Sequence, residues 1–263
     1  MPMPCKICQT VTSTAFTALV LGEYEARYNV CEHCGFLFAE NPHWLANAYT
    51  QPITSSDTGI MTRNIHCARV VGSLLKFCFD SAGTFADYGG GYGIFVRMMR
   101  DRGFNFYRDD KYCPNLFANG FDTTESDHNH FDLVTAFELF EHWVSPLQEL
   151  ENLLQKTDTV IFTTELLPTP FPRPDTWWYY GFEHGQHISF YTPLALKKLA
   201  TQFGLTYYHA GGFHLFTRCI PSFFKLRFNL ATNPYLALLG ELLLRRPSLT
   251  KTDFTQITGR IIP

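Results

Sequence analysis

A glycine-rich turn between two candidate strands is the feature that most constrains the fold of this 263-residue chain. An apolar run leads into Gly89, Gly91 and Gly93, a candidate helix follows, and the next apolar run ends close to Asp110. Glycines let the backbone turn sharply and approach a ligand, and the first turn of a helix has unpaired N–H groups. An acid after the second strand can accept hydrogen bonds from ribose hydroxyls. The pattern predicts a nucleotide-binding edge, although a tight βα loop without a ligand would share it.

The order of residues in this turn is D-x-G-x-G-x-G and not G-x-G-x-x-G. A dinucleotide pyrophosphate needs the helix N-terminus, whereas glycine backbone groups and a nearby carboxylate satisfy the carboxylate and amine of methionine. The order resembles motif I of class I methyltransferases that use S-adenosyl-L-methionine (AdoMet). The resemblance implies that AdoMet is the cofactor and that its methionine part is held at Asp87, Gly89, Gly90, Gly91 and Gly93. It also implies that the ribose and adenine are contacted by Asp110, Lys111 and Tyr112.

A second segment, FDLVTAFELFEH at 131–142, extends the resemblance, which covers about residues 60–215. The family carries FDxV followed by a Glu and an EH pair at this place. Glu138 and His142 follow a predicted parallel strand, where open α/β sheets bind their ligands, so both are predicted cofactor-site residues. Glu141 and His142 would also suit a second role, capping or bracing the next helix.

Two C-x-x-C pairs near the N-terminus predict a metal site. Cys5 and Cys8 form one pair, and Cys31 and Cys34 form the other after 22 intervening residues. Two such turns can close a tetrahedron of thiolates around Zn²⁺, and four sulfur ligands leave no open position, so the zinc is predicted to be structural. A redox pair and an iron–sulfur site are the alternatives. The remaining cysteines lie in apolar stretches and are interpreted as buried thiols: Cys67, Cys78, Cys113 and Cys219.

Alternating strand and helix patterns predict an α/β fold. The strand candidates are residues 84–88, 104–108, 120–123, 131–136, 159–164, 205–209 and 213–220. Residues 61–79 show the spacing of an amphipathic helix. The last two strands must form an antiparallel hairpin, because a parallel pair needs a long crossover. The family resemblance implies a Rossmann-like sheet of seven strands, mostly parallel, with one antiparallel edge strand.

Three regions are predicted along the chain. Residues 1–42 form a zinc-ribbon module, residues 43–220 form the AdoMet-dependent methyltransferase domain, and residues 221–263 form a C-terminal helical extension. The extension contains an apolar helical stretch at 235–246. This stretch would cover the domain, form a homodimer contact or touch a membrane surface, and the sequence leaves these three open.

Charge and hydropathy narrow the partners and the location. The net charge is −3 and the basic residues are scattered, which argues against a nucleic-acid partner. No apolar run has the length of a membrane span, and the N-terminus lacks the pattern of a signal peptide. We therefore expect a cytoplasmic protein with no transmembrane segment that acts on a small molecule.

A long loop, residues 165–191, is the predicted acceptor site. It follows the fifth parallel strand, so it lies at the sheet edge that carries the glycine turn, and long loops in compact domains are usually functional. Trp177 and Trp178 offer aromatic walls, unless they form the core of the loop. His184 and His187 are the candidate general bases, because imidazole titrates near neutral pH. A metal site is disfavoured, because the two histidines lack helical i, i+4 spacing.

The order of zinc ribbon, tyrosine-bearing linker, AdoMet domain and EH-containing loop is similar to that of nucleotide-sugar C-methyltransferases and of methyltransferases from glycan gene clusters. That similarity implies catalytic or substrate-contacting roles for Tyr49, His184 and His187. It favours methyl transfer to a sugar, nucleotide-sugar or glycan precursor. Two alternatives stay open: a methyltransferase for a protein or RNA docked by the zinc ribbon, and a non-catalytic AdoMet-binding scaffold.

Overall fold

The computed structural model describes residues 3–53, 57–218, 224–243 and 245–261 of the chain. The strands in these ranges are β1 (Ser13–Val20), β2 (Tyr24–Val30), β3 (Leu37–Ala39), β4 (Thr84–Tyr88), β5 (Asn105–Asp109), β6 (Leu133–Phe137), β7 (Thr159–Thr163), β8 (Ser189–Phe190), β9 (Thr206–Ala210) and β10 (Phe213–Thr217). The α-helices are α1 (Leu45–Ala48), α2 (Ile60–Phe77), α3 (Ile94–Asp101), α4 (Pro146–Leu154), α5 (Pro193–Gln202), α6 (Phe224–Ala231), α7 (Pro234–Leu243) and α8 (Thr250–Thr258). Single 3₁₀ turns occur at Thr123–Glu125, Phe140–His142 and Trp178–Tyr180.

The larger sheet carries the glycine turn. Its six strands lie in the order β5-β4-β6-β7-β10-β9. Strands β5, β4, β6 and β7 are parallel, whereas β10 is antiparallel to both of its neighbours. Most of the buried strand side chains are apolar, as expected for strands covered by helices on each side, and the buried exceptions include Asp87, Arg108 and Thr135. The carboxyl ends of β4 and β6 are therefore adjacent, and the loops that follow them meet at one edge.

Two details of the predicted sheet are wrong. Residues 120–123 do not form a seventh strand; Asp122 makes only an isolated bridge to Arg108 before the 3₁₀ turn. The reversed strand β10 is also not at the edge, because β9 lies outside it. The hairpin geometry explains this order, since β10 returns from β9 and pairs with β7 on its other side. The last part of the predicted strand 213–220, together with Cys219, lies outside the described residues.

The smaller sheet joins the N-terminal region to the long loop. Its order is β1-β2-β3-β8, and all of its pairs are antiparallel. Strand β8 comes from the end of the loop that was predicted to bind the acceptor. Trp44, after the predicted module boundary, is buried and donates its indole N–H to the carbonyl of Gly185 at 2.7 Å. The N-terminal region therefore packs directly on the loop.

The C-terminal helices pack on the larger domain. Glu241 of α7 forms ion pairs with Arg69 of α2 and Arg102, and Gly240 lies against Phe77. Helix α8 is held by Asp253, which is buried and accepts two hydrogen bonds from the Arg100 guanidinium at 2.7 and 2.9 Å. These contacts agree with the alternative in which the apolar stretch at 235–246 covers the domain. Of the other cysteines described, two are buried and one is partly buried: Cys67, Cys78 and Cys113, respectively.

Candidate active site

The glycine turn bends around the carboxyl end of β4. Gly89 donates its N–H to the carbonyl of Asp109 at 2.8 Å, which links the turn to β5. Gly89, Gly91 and Gly93 have φ angles of +73°, +53° and +85°. L-residues with side chains rarely adopt this region, so the glycines are required by the backbone path. Gly93 is also the N-cap of α3, and the turn therefore points the free N–H groups of that helix toward the sheet edge.

Asp87 is a buried carboxylate beneath the turn. It is 3 % exposed, and its Oδ1 accepts a hydrogen bond from the Thr135 hydroxyl at 2.6 Å. Burial raises the pKa of Asp87 to about 7, and the negative charge of Asp110 adds to this effect. The Thr135 hydrogen bond and the Arg108 guanidinium act in the opposite direction. A cationic ligand group beside Asp87 would stabilise its ionised form.

Asp110 holds the turn in place through backbone hydrogen bonds. Its Oδ2 accepts the N–H of Gly91 at 2.9 Å, and its Oδ1 accepts those of Tyr112 and Cys113 at 2.8 and 2.7 Å. Arg108, a residue that sequence reasoning missed, is buried and donates its Nε–H to the Gly91 carbonyl at 2.6 Å. An arginine in a strand gives no sequence signal of this kind, because its partners come from the folded turn.

Glu138 occupies a constrained position at the end of β6. Its φ of +46° is unusual for a residue with a side chain and turns the chain at the sheet edge. The Thr163 hydroxyl donates to Glu138 Oε1 at 2.7 Å, and the Tyr179 hydroxyl lies 3.2 Å from Oε2. The same tyrosine hydroxyl is 2.7 Å from Oε1 of Glu141, which is fully buried. Burial raises the pKa of Glu141 well above its usual value, and the charge of Glu138 adds to this effect.

Tyr49 and His142 meet across the site. The Tyr49 hydroxyl lies 2.9 Å from His142 Nδ1, and its ring stacks on Tyr112 with centroids 5.3 Å apart. Burial raises the pKa of Tyr49 and lowers that of His142 well below its usual value, with nearby His187 adding to the second effect. The Tyr49–His142 pair is therefore neutral near pH 7. Sequence reasoning placed these two residues in different roles, and folding brings them together.

His187 and His184 differ in the nitrogen that carries the proton. His187 Nδ1 is 2.7 Å from the carbonyl of Tyr179. Since a carbonyl only accepts, Nδ1 carries the hydrogen and Nε2 has the free lone pair. His184 shows the reverse arrangement, because its Nδ1 accepts the N–H of Gln186 at 3.2 Å. Burial lowers the pKa of His187 to about 4 and also lowers the pKa of His184.

A cavity of about 780 Å³ connects these groups. It reaches from the glycine turn to the 165–191 loop, and its size is in the range of small-molecule binding sites. Apart from Gly93, every predicted cofactor-site or catalytic residue lines it: Tyr49, Asp87, Gly89, Gly90, Gly91, Asp110, Lys111, Tyr112, Glu138, His142, His184 and His187. Lining residues that sequence reasoning missed include Asp57, Arg63 and Gln186.

The match to a family model decides the class of protein. Residues 62–210 match the model described as a methyltransferase domain, which is more than half of the chain. The chain belongs to the methyltransferase-domain family. Together with the glycine turn and the cavity, this assigns residues 62–210 as an AdoMet-dependent methyltransferase domain. A search of the curated proteins finds no match to this chain.

Solved structures similar to this methyltransferase include enzymes with different acceptors. One is CalO1, a methyltransferase in calicheamicin biosynthesis, in its SAH-bound form: 16 % identity, 60 % of this chain and 55 % of that chain covered, TM-score 0.41. A second is the plantazolicin methyltransferase BpumL in complex with a monoazolic desmethylPZN analog and SAH: 12 % identity, 74 % of this chain and 87 % of that chain covered, TM-score 0.48. A third is magnesium protoporphyrin IX methyltransferase from Synechocystis PCC 6803: 11 % identity, 66 % of this chain and 94 % of that chain covered, TM-score 0.39. Similarity at this level leaves the acceptor of this methyltransferase undetermined.

The methyltransferase also carries a cluster of four cysteines in its N-terminal region. The Sγ atoms of Cys5 and Cys34 are 3.7 Å apart, those of Cys8 and Cys31 are 3.5 Å apart, and those of Cys8 and Cys34 are 3.7 Å apart. A tetrahedral Zn²⁺ with bonds of about 2.3 Å requires sulfurs about 3.8 Å apart. The four thiols therefore fit a zinc ion, and three of them are buried.

A second group of candidate metal ligands lies beside the cavity, which two of its three members line. Glu141, His142 and His187 each bring one ligand atom within 4.8 Å of the others. His142 and His187 use their Nδ1 atoms for Tyr49 and the Tyr179 carbonyl, respectively. Sequence reasoning disfavoured a metal here because the histidines lack helical spacing, but spacing along the chain does not reveal such a group when two loops form it.

Proposed function

We propose that the protein transfers a methyl group from AdoMet to a small polar acceptor, with a sugar, nucleotide-sugar or glycan precursor as the favoured class. The observation that carries the proposal is the cavity that joins the glycine turn to His187, whose Nδ1 hydrogen bond leaves the Nε2 lone pair for a proton. One end has the chemistry to bind AdoMet, and the other has a group that can accept a proton. Methyl transfer to a hydroxyl or an activated carbon requires both.

The cofactor end would be formed by the turn and the strand ends around it. Asp87 suits the amine of methionine, because a buried carboxylate is a natural partner of a cation, and the unpaired N–H groups in the first turn of α3 suit its carboxylate. Asp110 already binds three backbone N–H groups, so its expected role includes shaping the turn as well as contacting the ribose. Bound AdoMet would supply an electrophilic methyl group.

His187 is the better general base of the two loop histidines. Its Nε2 lone pair is free, and the Tyr179 carbonyl keeps the ring in that tautomer. His184 uses its Nδ1 lone pair within the loop, and its Nε2 lies against Gly181, where an added Cβ would be only 2.1 Å away. His184 therefore supports the loop, while His187 is placed to take a proton. Tyr49 and His142 would orient the acceptor through their hydrogen-bonded pair.

The acceptor end of the cavity favours a ring with hydroxyl groups. Trp178 lines the cavity and is 78 % exposed, so its indole face is free to pack on a sugar or another ring. Arg63 also lines the cavity and is paired with Asp57 at 2.6 Å, which leaves a charged, hydrogen-bonding rim. Polar groups around an aromatic platform suit a sugar better than an extended peptide.

The zinc site is proposed as a structural element of the acceptor end. The Cys34 carbonyl accepts a hydrogen bond from the Thr192 hydroxyl at 2.6 Å. Thr192 is the N-cap of α5, which follows β8 along the chain. The four-cysteine turn is thereby tied to the end of the 165–191 loop. A zinc ion there would hold the β3–β8 pair, and with it the loop that contains His187. Its four thiolates would leave no open coordination position.

The proposal is tested with paired histidine variants. His187→Gln removes the imidazole base, and we expect turnover of a nucleotide-sugar substrate, found by screening with radiolabelled AdoMet, to fall by about 100-fold or more. Binding of S-adenosylhomocysteine should stay within about twofold, since His187 lies away from the glycine turn. The matched variant His184→Gln should retain most of the activity.

Three results would contradict the proposal. Absence of S-adenosylhomocysteine binding by the zinc-loaded protein would refute methyl transfer and favour a scaffold role. Turnover of protein or RNA with no turnover of any nucleotide sugar would refute the acceptor class. A larger loss in His184→Gln than in His187→Gln would refute the assignment of the base.

A further inference from the structure

The outward faces of α6 and α7 carry large exposed apolar side chains although both helices pack on the domain. In α6, Phe224 and Phe228 are buried, whereas Leu226 and Leu230 are exposed on the opposite side. Residues four apart lie on one face of a helix, so the two leucines form a stripe directed away from the protein. A helix that only covers a core would show polar residues there.

Helix α7 repeats this arrangement. Ala237 and Gly240 face the domain, while Tyr235 and Leu239 lie one helical turn apart on the opposite side. Tyr235 is 82 % exposed, and Leu236 and Leu238 are also exposed. Large exposed apolar patches mark interaction sites. The two helices together therefore present a leucine-rich surface, which we call the α6–α7 face and define by Leu226, Leu230, Tyr235, Leu236, Leu238 and Leu239.

The exposed charged side chains described in the α6–α7 segment are basic. Residues 224–246 contain four basic side chains and a single acid, Glu241. Glu241 points toward the domain, where it pairs with two arginines. Lys225, Arg227 and Arg245 are exposed. A partner for this face should therefore be apolar and anionic.

A groove with a net positive charge lies beside α7, which also favours an anionic partner. It has a volume of about 490 Å³ and is lined by five basic residues and two acids, Asp101 and Glu241. Glu241 is paired with Arg69 and Arg102. Lys76 and Arg246 donate to neutral oxygens, those of Gly240, Gly103 and Ser81, and lie over the Phe104 ring. Phosphate oxygens would satisfy such cations.

We propose that the α6–α7 face docks the protein on the surface of an anionic lipid bilayer. The leucines and Tyr235 enter the boundary between headgroups and acyl chains, and the flanking cations bind headgroup phosphates. The helices lie on the surface, since no helix among the described residues is long and apolar enough to cross a membrane. A symmetric dimer through the same face would bring like charges together, so a second copy is a poorer partner. The proposal does not depend on the identity of the methyl acceptor.

The test uses the full chain and sedimentation with vesicles. We expect binding to vesicles that contain phosphatidylglycerol and at least about tenfold weaker binding to pure phosphatidylcholine, because several cations contribute. Raising NaCl to about 0.5 M should weaken binding by screening these contacts. The double variant Leu230→Glu/Leu239→Glu should weaken binding by at least about tenfold, since two half-exposed leucines lose their apolar burial.

Matched variants on α5 distinguish a loss of binding specific to the α6–α7 face from a general effect of changing a surface residue. Leu194→Glu alters an exposed leucine on α5 and should leave vesicle binding unchanged. Arg245→Gln should weaken binding to anionic vesicles, while Lys197→Gln, on the exposed side of α5, should not. All variants should keep the wild-type affinity for S-adenosylhomocysteine, which reports the fold and the separate cofactor site.

Three outcomes would overturn the proposal. One is absence of binding to anionic vesicles by the wild type. The second is a dimer in light scattering that the leucine double variant abolishes, without any vesicle binding. The third is saturable binding of free glycerol phosphate that Arg245→Gln weakens, without vesicle binding, because the groove would then serve a soluble phosphate.

Discussion

Binding of S-adenosylhomocysteine should strengthen about tenfold between pH 6 and pH 8, because Asp87 ionises in this range. Burial raises the pKa of this carboxyl to about 7 in the unliganded protein. In the proposed cofactor site, the methionine ammonium of the ligand pairs with the ionised form of Asp87. Asp87 is ionised in about one molecule in eleven at pH 6 and in about ten of eleven at pH 8, and the affinity follows this fraction.

The sign of the effect follows from which state holds the proton. The free protein has the raised pKa and binds the proton, while the complex, with a cation beside Asp87, does not. Falling pH therefore weakens binding, and the change is centred near pH 7. At pH 7 about half of the free molecules hold the proton, so binding should release about half a proton.

Isothermal titration calorimetry measures both quantities, with the proton count obtained from buffers of different ionisation enthalpy. Asp87→Asn is the matched control, since an amide oxygen can still accept from Thr135 but cannot ionise. This variant should bind weakly and with no pH dependence over the same range. A flat affinity in the wild type, or the same slope in Asp87→Asn, would refute the reasoning.

Three further predictions concern stability and the metal. Cys8→Ser should lower the zinc content, measured by a chromogenic chelator after denaturation, and should lower the melting temperature; a protein of unchanged zinc content would contradict a four-cysteine site. Gly93→Ala should lower the free energy of unfolding in urea by about 1–3 kcal/mol, because φ is positive at Gly93 and an added Cβ would meet close neighbours. The loss should be larger than for Gly204→Ala, where φ is also positive but no atom lies within 4 Å of an added Cβ. Equal losses in the two variants would mean that crowding at Gly93 does not contribute. Asp253→Asn should lower the free energy of unfolding by about 3–5 kcal/mol, because it leaves the buried Arg100 guanidinium without its carboxylate partner. Asp101→Asn, which removes an exposed ion pair within α3, should lower it by less than about 1 kcal/mol. A small loss in Asp253→Asn would mean that α8 is not part of the folded core.

The sequence by itself determined the parts of the protein that depend on local order. The glycine turn needs positive φ angles at fixed positions, so Gly89, Gly91 and Gly93 could be identified without knowing the fold. Helix α2 and the β9–β10 hairpin followed from apolar spacing and from a short connection. The spacing of the two C-x-x-C pairs was likewise enough to predict that their four thiols lie close together.

Only the tertiary structure decided which distant residues meet. Tyr49 lies next to His142, and Arg108 braces Gly91, because strand order brings separate loops to one sheet edge. The number of strands was mispredicted for the same reason, since residues 120–123 had strand character but found only one bridging partner.

The distinction between His184 and His187 also required the fold. Both residues have the same side chain in the same loop, and their proton positions are set by one backbone carbonyl and one backbone N–H. Such hydrogen bonds depend on how the loop folds against its neighbours, which a linear pattern does not contain. Local spacing therefore determined the elements and the class of protein, while long-range packing determined the chemistry available in the cavity.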